Sequence, residues 1–292
     1  MTYDLPTVPV SLRVHLAHAT VQAIADEAGA DILHIKGPAV DPTLRPEGRA
    51  SADADVLVRP AHLKGFFAGL RRHGWQHVKK LRAGGLVQHS ANWYHGELGQ
   101  MDVHVRFPGI QIAPPDAFEV LWQNRGVREI AGHRCVVPDV VGQRLILLLH
   151  AARDLRHYQA DVESAWLVAS AEERDDVRAL ARILDAEVAL AAATGQLEEF
   201  RERPEYDLWR LYADGATTTT GFKRMAAEMK AAPAGYRLAR VRVVGYSLGT
   251  LILVPQRLSH QLARRPTATE VAAGYADLIR RGSDVLRLKP RR

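Results

Sequence analysis

Cysteine is nearly missing from this chain: its 292 residues include one, Cys135. That excludes an internal disulfide framework and any Cys-rich zinc module, and it fits a reducing cytosol. Long apolar runs are missing as well. The most lipid-like stretch, Val243 to Val254, has 12 residues, among them two glycines and a serine. A bilayer span takes roughly 20 apolar residues, so the stretch reads as a buried helix. Met1 to Val14 has no basic start followed by a long apolar run, and the expectation is a cytoplasmic protein without membrane contact. No Gly-Lys-Ser/Thr phosphate loop, no Gly-x-Gly-x-x-Gly turn and no His-Glu-x-x-His helix motif occurs, which removes three common routes to nucleotide or zinc chemistry.

What remains is the balance of a globular protein, 47% apolar and 25% charged, long enough for one large domain or two moderate ones. Charge is uneven. Gly221 to Arg292 carries 15 basic and 4 acidic residues, a net +11, which leaves 24 basic and 29 acidic residues, a net −5, in the first 220. Such a basic quarter can meet RNA or nucleotide phosphates. The plainer reading is an arginine-rich solvated surface, because no aromatic-interleaved basic motif accompanies it.

Apolar spacing predicts a helix over residues 11–28 with Ser11 as N-cap and Gly29 as stop. A strand over 32–35 enters the turn Lys36-Gly37-Pro38, and a second strand covers 53–58. A helix over 61–73 follows, then strands near 75–81, 86–94 and 101–107, a short helix through Trp122 and a hairpin over 127–137 turning at Gly132. Beyond Pro138 the sequence reads as helices, at 139–155, 172–194, 221–231, 236–253 and 269–288, the last opened by the capping-box pattern Thr267-Ala-Thr-Glu270. The expected class is α+β: a mixed sheet with flanking helices in residues 1–138, then a helical domain in 139–292.

Three segments carry candidate chemistry. In Arg49-Ala-Ser-Ala-Asp53-Ala-Asp55-Val-Leu-Val58, a strand sends Asp53 and Asp55 to one face, about 6.6 Å apart along it. Two like charges beside an apolar run are costly unless a cation sits between them, and divalent ions take such hard oxygen ligands. An exposed strand end with two solvated aspartates is the bland alternative. Met101-Asp102-Val-His104-Val-Arg106 alternates strictly and puts Asp102, His104 and Arg106 on one face. His34-Ile-Lys36-Gly37-Pro38 is a strand entering a glycine turn, where backbone N–H groups and the Lys36 ammonium can approach phosphates.

In that order and spacing, the three segments resemble the uncharacterised bacterial nucleotidyltransferases of the polymerase-beta-type superfamily, over about residues 12–170. That family carries a Lys-Gly turn, then Arg-x-x-x-Asp-x-Asp-Leu-Leu-Val, then Ile-Asp-Leu-His-Trp-Arg, then a Leu-rich His-Ala-Ala helix, matched here by Leu147 to Ala152 with His150. The resemblance implies a nucleotidyltransferase-type fold and transfer of a nucleoside monophosphate from an NTP to an acceptor hydroxyl of a small molecule, protein or RNA. It implies Mg²⁺ or Mn²⁺ held by Asp53, Asp55 and Asp102 as catalytic metal ligands. Lys36, Gly37, Arg49 and His104 would then serve the nucleotide or brace the carboxylates. Pro38 departs from the superfamily's frequent Gly-Ser turn and removes one backbone donor. That departure motivates one alternative, an inactive nucleotide-binding protein in a biosynthetic pathway. The basic quarter motivates another, a toxin-like enzyme acting on tRNA. Gly245-Tyr-Ser247-Leu-Gly249 spells a hydrolase nucleophile elbow, but its helical surroundings favour close helix packing instead.

Overall fold

The computed structural model describes residues 8–45, 51–78, 90–214, 221–232, 255 and 265–276. Arg49, the basic run after residue 232, the stretch 243–254 and the Gly-x-Ser-x-Gly segment therefore lie outside the described residues, apart from Pro255 and 265–276.

Helix α1 (Val10–Ala28) opens the fold and ends at Gly29 in the left-handed conformation, φ 60°. It begins one residue before Ser11, after Pro9. Strands β1 (Ile32–His34), β2 (Asp53–Val58), β3 (Gln76–His77), β4 (Ser90–His95) and β5 (Gly99–His104) form one sheet in the order β1-β2-β5-β4-β3. Helix α2 (Leu63–Arg72) lies between β2 and β3 in the chain. The β2–β5 pair is parallel and the other three pairs are antiparallel, so the sheet is mixed, as expected. The hairpin β6 (Gly126–Ile130) and β7 (His133–Val137) follows α3 (Pro114–Gln123) and forms its own two-stranded sheet.

Side chains alternate along each strand, and that period of two sorts the sheet into two faces. Ala54, Val56, Val58, Met101 and Val103 pack into one buried cluster with Val21, Ile24, Phe66 and Leu70 of α1 and α2. Asp53, Asp55, Asp102 and His104 occupy the intervening positions and so face the other way. Leu33 and Leu57 share that second face and join a larger cluster. This cluster runs through Phe107, Ile110 and Phe118 into α4 (Val140–Ala151), α5 (Gln159–Val162), α6 (Ala171–Ile183), α7 (Glu187–Thr194) and α8 (Tyr206–Ala213). Position 138 thus lies between β7 and α4, while buried apolar contact continues across it. Asp139 caps α4 by accepting from the Gly142 N–H at 2.8 Å.

One helix expected over 172–194 is two. α6 starts with a full capping box between Ser170 and Glu173. It stops at Leu184, and Asp185 takes φ 47° before α7 begins. The interruption leaves the Leu184 carbonyl free to accept from the Gln111 N–H at 3.2 Å and the Ile112 N–H at 3.5 Å, a tertiary demand that overrides good local helix formers. The Thr267–Glu270 capping box is present, with Glu270 accepting from the Thr267 N–H at 2.7 Å and Thr267 Oγ1 from the Glu270 N–H at 3.3 Å. No helix among the described residues is long and apolar enough to cross a membrane.

Just past β5, Gly109 takes φ 101° where the chain meets the helical layer. A Cβ there would lie 2.9 Å from Ala189 Cβ and 3.2 Å from Leu149 Cδ2. Gly109→Ala is therefore expected to destabilise the protein by about 2–4 kcal/mol, from left-handed strain plus overpacking. Chemical denaturation checks this; a change below about 0.5 kcal/mol contradicts it.

Candidate active site

The parallel pairing of β2 with β5 sets Asp55 directly beside Asp102, and β4 sets Asn92 beside Asp102 on the other side. One rung of three strands thus carries two carboxylates and an amide. Asn92 Nδ2 donates to Asp102 Oδ1. His104, the last residue of β5, sends Nε2 to Asp55 Oδ1 at 2.9 Å, and its ring packs on Phe107 with centroids 5.7 Å apart. Lys36, leaving β1, places Nζ 2.8 Å from the same Asp55 oxygen.

Asp55 and His104 are each only 3% exposed, whereas Asp53 and Asp102 are half-buried. Burial by itself would raise the Asp55 carboxyl, but the Lys36 ammonium and the His104 hydrogen bond hold it well below the usual carboxylate range. Asp53 and Asp102 go the other way: burial, then the neighbouring Asp55 charge, raises both. Three acids on one face therefore hold protons unequally. Asp55 is a fixed anion, and Asp102 is the more basic group.

Asp55, Asp102 and His104 each offer a ligand atom, and those three atoms all lie within 4.8 Å of one another. The expected pairing of Asp55 with Asp102 is present. Asp53 stands two residues before Asp55 on the same face but outside that group of three. His104 is inside it, with Nε2 at hydrogen-bond distance from Asp55. Arg106 lies beyond the end of β5 and directs its guanidinium to the Ile110 carbonyl at 3.5 Å. Arg49 lies outside the described residues.

The Lys36-Gly37-Pro38 turn is built for a close approach. Gly37 takes φ 64°, and a Cβ there would fall 2.8 Å from Ser51 Oγ and 3.6 Å from His18 Nε2. Arg128 of β6 anchors the turn by donating to the Pro38 carbonyl at 2.9 Å. Ser51, two residues before Asp53, brings its hydroxyl beside Gly37, and Pro38, next in the turn, has no N–H.

Behind the turn runs a chain of polar groups that sequence reasoning missed. The Val136 N–H donates to Gln22 Oε1 at 3.0 Å, which fixes that amide's orientation, and Gln22 Nε2 donates to Asp26 Oδ1 at 2.9 Å. His34 Nε2, 3.1 Å from the same Gln22 oxygen, must then carry a proton. Neutral His34 presents a bare Nδ1 to His18 Nδ1 at 2.7 Å, so the His18 proton sits on Nδ1. His18 Nε2 is left as a bare acceptor beside Gly37, with no hydrogen-bond partner among the described residues. Both rings are 0% exposed. The spacing of His18 on α1 and His34 on β1 shows no motif; only the packing of α1 on β1 joins them. His150, on α4, packs its ring 4.2 Å from that of Tyr158 and lies apart from this chain.

No known protein family matches this chain, and no curated protein matches it by sequence. Among solved structures it is similar to the antibiotic-resistance factor ANT(2'')-Ia in solution, at 16% identity and TM-score 0.34, over 67% of this chain and 94% of that one. It is similar to the crystal structure of ANT(2")-Ia in complex with adenylyl-2"-tobramycin, at 14% identity and TM-score 0.35, over 64% and 98%. An antigenic nucleotidyltransferase-like protein from Paracoccidioides brasiliensis is similar at 15% identity and TM-score 0.39, over 64% and 95%. Likenesses at these identities and TM-scores fall short of showing a family.

The histidine pair generates a pH dependence. Burial lowers His18 from 6.5 to about 4, with the Asp55 charge opposing and His15 adding to the fall. His34 also lies well below its ordinary value, through burial and then the charges of His18 and His133. A depressed folded-state value means that the unfolded chain takes up the proton first as pH drops. The contribution of His18 is thus whole above about pH 6.5 and is lost down to about pH 4. Wild type is expected to lose about 3 kcal/mol more than His18→Gln between pH 7 and 4. Urea midpoints measure it, and parallel curves for the two proteins contradict it.

Proposed function

We propose that the chain is a divalent-metal-dependent nucleotidyltransferase that moves a nucleoside monophosphate from an NTP to an acceptor hydroxyl. The single observation carrying this reading is the in-register pairing of Asp55 with Asp102 on parallel strands, with His104 beside them. Two buried or half-buried carboxylates and an imidazole within one ion's reach fit a divalent cation. The order of the Lys-Gly turn, the Asp-x-Asp strand and the Asp-x-His strand along the chain supports the same class.

In this reading Asp55 and Asp102 hold the cation and Asp53 adds a third carboxylate at the mouth of the site. A bound divalent ion there supplies charge neutralisation to a triphosphate and its leaving pyrophosphate. Lys36 passes from Asp55 to a phosphate oxygen, and the Gly37 turn lets the phosphates approach the backbone. Asp102, on the strand beside Asp55, would orient the attacking hydroxyl and help to take its proton. The oxygen then attacks the α-phosphorus. The acceptor is a hydroxyl-bearing small molecule, protein or RNA.

One observation favours a second reading, a non-catalytic nucleotide-binding protein: Pro38 removes a phosphate donor from the turn, and its carbonyl is tied to Arg128. Titration calorimetry with an NTP separates the two, since the enzyme requires metal-dependent heat.

The test is transfer of label from each α-phosphate-labelled NTP, with Mg²⁺ or Mn²⁺, to small-molecule, protein and RNA fractions of a cell extract. The Asp53→Ala/Asp55→Ala protein is expected to transfer at least about 10³-fold less than wild type. Equal transfer by the two proteins removes the enzymatic reading.

A further inference from the structure

We propose that His104 Nε2 is itself a metal ligand, which makes Asp55, Asp102 and His104 a nitrogen-bearing centre that prefers a first-row transition ion such as Mn²⁺ to Mg²⁺. This rests on the proposed nucleotidyl transfer for the presence of an ion, and on His104 alone for the kind of ion.

The geometry comes first. Donors in adjacent positions of an octahedral ion with bonds of about 2.1 Å stand about 3.0 Å apart. His104 Nε2 and Asp55 Oδ1 stand 2.9 Å apart. A ligand atom of Asp102 lies within 4.8 Å of both, close enough for side-chain rotation to bring it inside the roughly 4.2 Å that opposite donors of one such ion span. The three donors need no strand movement to meet an ion, because the β2–β5 register already aligns them.

Rigidity comes second. His104 ends β5, is paired on both sides by Leu57 and Ser90, and stacks obliquely on Phe107. The nitrogen aimed at the carboxylates is Nε2. The ring is buried, and a cation entering between Asp55 and Asp102 meets its Nε2, which either ligates the ion or opposes it with an N–H. Ligation takes the neutral tautomer that carries its proton on Nδ1, so that Nε2 turns a lone pair toward the ion. Lys36, whose ammonium shares that carboxylate oxygen at 2.8 Å, has a flexible stem and can yield.

Chemistry comes third. Mg²⁺ takes hard oxygen donors and parts with water reluctantly, whereas imidazole suits the later divalent ions, whose affinity for nitrogen-bearing sites rises from Mn²⁺ upward. A site with one imidazole and two carboxylates therefore discriminates against Mg²⁺ in a way that three carboxylates do not.

Mn²⁺ is the probe. Titration followed by the six-line signal of free Mn²⁺ gives affinity and stoichiometry, and electron spin-echo modulation reports nitrogen bound to the ion. Wild type is expected to show nitrogen-14 modulation that becomes nitrogen-15 modulation when the histidines are isotopically labelled. His104→Gln is expected to lose it, to bind Mn²⁺ at least about tenfold more weakly and to bind Mg²⁺ within about threefold of wild type. Circular dichroism confirms the variant's fold, and the labelled wild type serves as the readout that needs no variant. Mn²⁺ bound without nitrogen modulation but lost in Asp102→Asn overturns the ligand assignment and leaves the metal-dependent transferase standing. Equal weakening of both ions in His104→Gln also overturns it, returning His104 to a positioning role. Failure of folded wild type to bind Mn²⁺ at all overturns both this assignment and the proposed function.

Discussion

Asp55 is an ionised carboxylate held almost out of water, where an uncompensated charge costs several kcal/mol. Its two partners flank β2: Lys36 follows the end of β1 and His104 ends β5. The charge is therefore balanced only when β1, β2 and β5 lie in the observed register. A slip of one residue would turn Asp55, Asp102 and His104 into the apolar layer under α1 and α2. Lys36 and His104 lower the proton affinity of Asp55, whereas burial and then the Asp55 charge raise that of Asp53 and Asp102.

The opposite face meets the same constraint differently. His18 and His34 are buried with no carboxylate in hydrogen-bond contact among the described residues, so neutrality replaces pairing. One backbone N–H, that of Val136, orients Gln22 and through it both rings. The hairpin of β6 and β7 thereby dictates which nitrogen faces the Gly37 turn, while Arg128 from the same hairpin grips Pro38. Turn and carboxylates are supported from two sides of the sheet, and both supports meet at Lys36-Gly37.

Much of this was legible in the sequence because it is periodic. Alternation in Asp53–Val58 and in Met101–Arg106 placed the acids on strand faces, Gly29 and Gly132 marked turns, and the class of a mixed sheet followed by helices emerged from the order of those signals. Register has no such signature. Nothing in residues 90–95 announces that Asn92 would stand beside Asp102, and nothing in the spacing of His18 and His34 announces a bonded pair. His104 read as an accessory to Asp102 because alternation gives a face, not a distance. The break at Leu184 was hidden for a similar reason: its cause is a backbone donor at Gln111, far away in the chain.

In the proposed reaction Asp55 and Asp102 converge on a divalent cation, and Lys36 stands on Asp55 until one arrives. Crystals soaked in Mn²⁺ with a non-hydrolysable NTP, and measured at the manganese absorption edge, test it most directly. An anomalous peak is expected about 2–2.5 Å from carboxylate oxygens of both Asp55 and Asp102, with Lys36 turned toward the phosphates. A saturating soak that leaves Lys36 on Asp55 and places no peak between the two carboxylates would contradict it.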